Sequence, residues 1–144
     1  MRGRMMNTPL LISSLVEHAG GVHGDQQIVT RTVEGPIEHS TWAEVLRRSK
    51  QLAEALTEAG IGKSDRVATL AWNTHRHLEA YYGISGMGAV CHTLNPRLHP
   101  TQLAYIVNHA EDRILLVDAT FVPLAEAVAD KLRTVERYVV MTDA

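Results

Sequence analysis

Eight histidines, a single cysteine and three well-placed aspartates are the groups of this chain that could do chemistry. His75 and His77 are two apart on a predicted helix. Convergence on a metal needs i,i+4 spacing, so these two point to different faces. Cys91 and His92 are adjacent on a predicted strand and face opposite sides. The chain has no CxxC and no HExxH, so its histidines read as structural or surface groups and no metal ligand is assigned. Gly83, Gly86 and Gly88 sit in GISGMG, which closes a helix before a strand; the dinucleotide fingerprint opens a helix after one. The run reads as close helix–sheet packing plus a helix C-cap. Asp65, Asp112 and Asp118 raise the idea of a phosphoacceptor pocket of the receiver type. Only Asp118 follows a strand; Asp65 and Asp112 precede strands, at the edge away from the usual ligand side. All three read as turn residues and solvated carboxylates.

Asn95-Pro96-Arg97 is the most suggestive short motif. It follows a strand and therefore lies at the carboxyl edge of a parallel sheet, where ligands bind. Pro96 stiffens the turn, and Arg97 could reach a phosphate. The alternative is a loop that only delivers the chain to the next helix. Trp72-Asn73, after the preceding strand, has the same two readings.

The elements that must position these groups follow from the run Asp65 to Asp118, which alternates strand, helix, strand, helix, strand. The expected fold is α/β, a parallel sheet with helices on both faces, plus an N-terminal helix and a β-hairpin. Strands are expected over 67–71, 89–94, 114–117 and 138–141, and helices over 75–87, 100–110 and 122–132. Asn73 or Thr74 caps the first of these helices, and Pro100 sits in the first turn of the second. Before them, residues 9–19 read as a helix ended by Gly20, Gly21 and Gly24. Residues 27–33 and 37–40 read as a hairpin around Glu34-Gly35-Pro36. Thr41 and Glu44 form a capping box for helix 42–59, with Gly60 left-handed at its end and Ile61 supplying the hydrophobic contact.

A chain of 144 residues is expected to form one domain, 1–144. A formal charge of −2 gives no basic field for nucleic acid, and Arg47, Arg48 and Lys50 read as a solvated helix face. A lone Cys91 forms no internal disulfide and fits a reducing, cytoplasmic setting. The N-terminal segment has two arginines and a short apolar run broken by Ser13 and Ser14; it reads as an amphipathic helix, not a signal peptide, and nothing spans a bilayer. The last residues follow directly on a strand, a sign of truncation.

The stretch from Lys63 to Asp118, DRVATLAWNTHRHLEAYYGISGMGAVCHTLNPRLHPTQLAYIVNHAEDRILLVD with its lead-in, resembles the N-terminal subdomain of AMP-forming acyl-CoA synthetases, medium- and long-chain fatty-acid:CoA ligases above all. The similarity continues through VPLAEAV and KLRTVERYVVMTD and back to the hairpin and capped helix. Lys63-Ser64 stands where that family has glycine before Asp65. The resemblance implies a parent enzyme in which a fatty acid carboxylate attacks the α-phosphorus of ATP with Mg²⁺, releasing pyrophosphate. Coenzyme A (CoA) then displaces AMP through its thiol. The family's phosphate loop, metal glutamate, ribose aspartate and mobile lysine lie downstream of Ala144, so no catalytic residue is assigned and these 144 residues are expected to be inactive alone. The resemblance also implies CoA contact at Asn95, Pro96 and Arg97, and a homodimer in which the segment 1–24 is a candidate contact. Two rival readings are a stand-alone α/β interaction or dimerisation module and a small receiver-like switch; the missing acidic cluster speaks against the second.

Overall fold

The computed structural model describes residues 7–142. The first six residues of the 1–24 segment and the last two of the 1–144 domain lie outside the described residues. Strands β1 (Gln27–Arg31) and β2 (Ile37–Thr41) form an antiparallel hairpin. Strands β3 (Arg66–Leu70), β4 (Val90–Thr93), β5 (Ile114–Asp118) and β6 (Arg137–Met141) form a parallel sheet in the order β4-β3-β5-β6. Among the described residues five α-helices accompany them: α1 (Ile12–Val22), α2 (Trp42–Glu58), α3 (His75–Gly86), α4 (Pro100–Ala110) and α5 (Val122–Ala129).

The two central strands are buried on both faces, which is why they read as nearly unbroken apolar runs. Their alternation divides the core. Val67, Ile114 and Leu116 pack with Leu56, Ala80 and Ile84 of α2 and α3. Ala68, Leu70, Leu115 and Val117 pack on the other face with Leu103, Val107 and Val128 of α4 and α5. Chain direction explains the split. The step from β3 to β4 runs one way along the sheet, and the step from β4 to β5 runs back past β3. Right-handed crossovers in opposite directions place their helices on opposite faces.

Local signals account for the helix ends. Thr41 Oγ1 accepts the Glu44 N–H at 3.3 Å. The Glu44 carboxylate, however, lies 3.9 Å from Arg47. A reciprocal box is found instead at His99 and Gln102, which start α4 together with Pro100. Thr74 caps α3. Gly60 is left-handed at φ 86° and the Ile61 N–H returns to the Leu56 carbonyl, as expected. Ser64, in the place where the resemblance expects glycine, is left-handed at φ 71°.

Several expectations need correction. Helix α1 runs three residues later than expected, with Gly20 and Gly21 inside it. A Cβ at Gly20 would lie 2.6 Å from Leu46 Cδ2, so this glycine serves close approach to α2 and does not stop the helix. Strand β1 ends at Arg31 because Thr32 turns back on the Pro36 carbonyl. Helix α5 ends at Ala129, although Leu132 still reaches the core. In GISGMG, Gly83 packs helix against helix, not helix against sheet: its Cβ would meet the Ser49 carbonyl oxygen of α2 at 2.7 Å. Gly88, at φ 88°, supplies the expected cap. Arg48 is not on a solvated face; its Nε donates to Glu79 Oε1 at 2.8 Å, and the Glu79 side chain is buried. Among the described residues, no helix is long and apolar enough to cross a membrane.

Candidate functional site at the carboxyl edge of the sheet

Strands β4, β3 and β5 end side by side, so the loops that follow them meet at one edge. A cleft of about 590 Å³ opens between this edge and the hairpin. Ile28 and Thr30 of β1 line it on one side, Thr74 at the cap of α3 with His77 and Tyr81 on another, and Leu94 just after β4 on a third. The hairpin is tied to the body by an ion pair at its turn: Arg76 Nη1 donates to both carboxylate oxygens of Glu34, at 2.9 and 3.2 Å. Its backbone and Arg76 together hold the Glu34 carboxyl below its ordinary range, partly offset by desolvation.

Asn95-Pro96-Arg97 lies at this edge beside Leu94, as its sequence position requires. Asn95 Oδ1 accepts the Arg97 N–H at 3.0 Å. That Asx turn fixes the backbone and leaves the Arg97 side chain exposed. The three residues stand next to the cleft and do not line it.

One group at the edge, named in the sequence but read there as solvated, is buried. Asp118 ends β5 fully buried, and its Oδ2 accepts the Trp72 backbone N–H at 2.6 Å. Burial pushes its carboxyl above the ordinary value, against the pull of the Trp72 N–H, His77 and Arg76. His77 lies beneath the same loop, with Nε2 3.0 Å from Thr69 Oγ1. Burial lowers its pKa, with Asp118 and the Trp72 backbone acting in the opposite sense. The ring bridges β3 and α3, and burial favours its neutral form. The signal for Asp118 was available: it is the one aspartate of the three that follows a strand. What hid its burial is that a carboxylate reads as solvated until its hydrogen-bond donor, here a backbone N–H forty-six residues away, is known.

The expectation of solvated carboxylates also fails for Asp112. It is fully buried at the opposite edge, 2.7 Å from His92 Nδ1. Desolvation raises its pKa, and the bond to His92 works against that rise. Asp65 fits the turn reading, since it accepts from the Gly62 N–H at 2.8 Å and from Arg113 at 2.9 Å. Cys91 is packed beside the core and its thiol is pushed up to about 11, so it stays protonated and is a poor nucleophile. Among the described residues, no group of three or more His, Cys, Asp or Glu is placed to hold a metal ion. At this edge Asp118 Oδ2 is engaged with the Trp72 N–H and His77 with Thr69, while Asp118 Oδ1 is buried without a hydrogen-bond partner among the described residues.

A family profile described as "AMP-binding enzyme" matches residues 16–144. The 3-methylmercaptopropionyl-CoA ligase of Ruegeria pomeroyi is 56% identical over 141 residues, 98% of this chain and 26% of that protein. The medium-chain-fatty-acid–CoA ligase of Ectopseudomonas oleovorans is 48% identical over the same share of each. The chain thus spans about a quarter of the length of the curated relatives it matches. Among solved structures, the anthranilate CoA ligase AuaEII in complex with anthranoyl-AMP superposes with a TM-score of 0.83 at 24% identity, over 94% of this chain and 26% of that one. At that identity the likeness supports the fold, a parallel α/β unit of the same layout.

Proposed function

This chain belongs to the AMP-binding enzyme family, and we propose that it is the N-terminal part of a ligase that joins a fatty acid to CoA through an acyl-adenylate. The observation that carries the reading is the 48–56% identity to acyl-CoA ligases along 98% of the chain. In the proposed reaction the acid's carboxylate oxygen bonds to the α-phosphorus of ATP and pyrophosphate leaves. The CoA sulfur then bonds to the acyl carbon and AMP leaves. ATP, Mg²⁺ and CoA are the groups the parent enzyme would use. Among the described residues no group of three or more His, Cys, Asp or Glu is placed to hold Mg²⁺. The part of this chain is a scaffold wall: its sheet edge presents the exposed Arg97 to an anionic group while the Asx turn holds the loop.

The relative with 56% identity takes 3-methylmercaptopropionate to its CoA thioester, which favours a second acid, short and thioether-bearing, beside the medium- to long-chain acids. One experiment tests both. The complete protein is assayed for AMP and thioester formation with octanoate, palmitate and 3-methylmercaptopropionate. The expected result is ATP- and CoA-dependent thioester from at least one acid; none from any would overturn the reading. The 144 residues alone are expected to show no ATP–pyrophosphate exchange. In the complete protein, Arg97→Ala is expected to raise KM for CoA several-fold with little change in kcat, as loss of one charge-assisted contact would. An unchanged KM would remove Arg97 from the CoA site.

We also propose that the complete protein is a cytoplasmic homodimer with α1 in its interface. Leu11, Ile12 and Leu15 of this segment are exposed although apolar, with Val22 at the far end of the helix. Deleting residues 1–20 is expected to halve the mass measured in solution by light scattering; a dimer that survives the deletion would remove α1 from the contact.

A further inference from the structure

We propose that the exposed face of Trp72 is a stacking platform for the adenine ring of a nucleotide substrate; this rests on the ligase reading above. Three observations lead to it.

The first is topological. Numbered from the start of the parallel sheet, the strand order β4-β3-β5-β6 is 2-1-3-4. In sheets of this order the connections diverge between the first and third strands, and the crevice outside their carboxyl ends takes the ligand. Here those strands are β3 and β5. The loop after β3 begins near Trp72, and the loop after β5 is Ala119–Phe121, a single 3-10 turn.

The second is the state of Trp72 itself. It is 42% exposed, yet it is held on every side that faces the protein. Its backbone N–H is taken by the buried Asp118, and its carbonyl accepts the Thr74 N–H at 2.9 Å. Its indole N–H donates to Thr120 Oγ1 at 3.2 Å. The ring rests on Phe121 with centroids 5.0 Å apart. A large aromatic left open to water gains nothing for folding from its open face. One that is fixed at both backbone and ring is prepaid for stacking, because little rotamer freedom remains to be lost on binding.

The third is the neighbourhood. Two loops border the Trp72 loop at the same edge. One carries the exposed Arg97, a cation for phosphate, and the other carries Thr120, a hydroxyl at the rim. A flat aromatic surface whose neighbouring loop carries a cation suits a purine nucleotide, since every base offers a π-face and stacking needs no base-edge contacts.

ATP and CoA both carry adenine, so the test has an arm for each. The complete protein and its Trp72→Leu and Trp72→Phe variants are titrated with ATP and, separately, with CoA, and dissociation constants are measured by calorimetry. Trp72→Leu is expected to weaken one of the two nucleotides about fivefold or more, and Trp72→Phe to restore most of the loss. Loss toward CoA alone assigns the platform to CoA; loss toward ATP alone assigns it to ATP. Equal affinities for both nucleotides in the Leu variant overturn the platform while the ligase reading stands on the parent's activity. A parent that binds neither nucleotide overturns both. Far-UV circular dichroism of the variants, and the Phe variant itself, separate a lost platform from a lost fold.

Discussion

Gly83→Val is expected to cost about 3 kcal/mol, the upper part of the range for overpacking a filled interior. The reason is the partner atom. A Cβ at position 83 would sit 2.7 Å from the Ser49 carbonyl oxygen and 3.4 Å from Leu52 Cδ2. A side-chain neighbour could rotate away; a backbone carbonyl inside α2 cannot, so α2 and α3 must move apart along the line where they meet. The helix-propensity gain over glycine returns less than about 1 kcal/mol. Against a typical total of about 5–15 kcal/mol, the loss is a large fraction of what holds such a domain folded. Thermal melts are expected to fall by roughly 10 °C. Gly86, one turn later, is the internal control. The nearest atom to its added Cβ is Ser13 Cβ at 3.8 Å, an ordinary contact. Gly86→Ala is expected to be neutral or to gain about 0.5 kcal/mol. Valine tolerated at 83, or alanine damaging at 86, would contradict the packing account.

Asp118→Ala is expected to cost about 1–3 kcal/mol, because it leaves the Trp72 N–H without its acceptor in a dry site. Asp118→Asn keeps an acceptor oxygen and removes the buried charge, so it is expected to be much milder at neutral pH. The pH dependence separates the two causes. Burial raises the Asp118 pKa in the folded chain. Its favourable contribution is therefore complete below the unfolded pKa and is lost as pH rises through the folded one. Relative to the Asn variant, the parent is expected to gain stability as pH falls from neutral into the acidic range. Asp65, whose pKa is lowered, pulls the parent the other way but is shared by both proteins and cancels in the comparison, whereas Glu34 and His77 feel the Asp118 charge and contribute to the difference. Chemical denaturation of both proteins across that range checks it; parallel curves would mean that Asp118 is not desolvated.

The layout of this chain is legible in its sequence because its signals are local. Thr74 before a helix, Pro100 in a first turn, Gly60 at a last one, and largely apolar runs at 67–70 and 114–117 each act within a few residues. The site was only half legible. Asn95-Pro96-Arg97 could be placed at the carboxyl edge from its position after a strand, since β4 is parallel to β3. Asp118, His77 and Arg48 could not be interpreted, because their partners come from elsewhere in the chain. The Trp72 N–H, the Thr69 hydroxyl and the Glu79 carboxylate decide whether those groups are solvated or engaged. Gly20 and Gly83 were misread for a related reason. Sequence shows where a side chain is missing, and only the neighbouring helix shows whether anything needed the space, as at Gly20 and Gly83.

Ser64 has a consequence for anyone who wants a hardier form of this protein. It holds φ at 71°, with its N–H committed to the Gly88 carbonyl at 2.9 Å. An L side chain in that basin carries roughly 1–2 kcal/mol that glycine would not. A single codon change at that turn would release this reserve. The turn leads into the amino end of β3, the opposite edge of the sheet from the loops that follow β3, β4 and β5, so the change would leave those loops untouched.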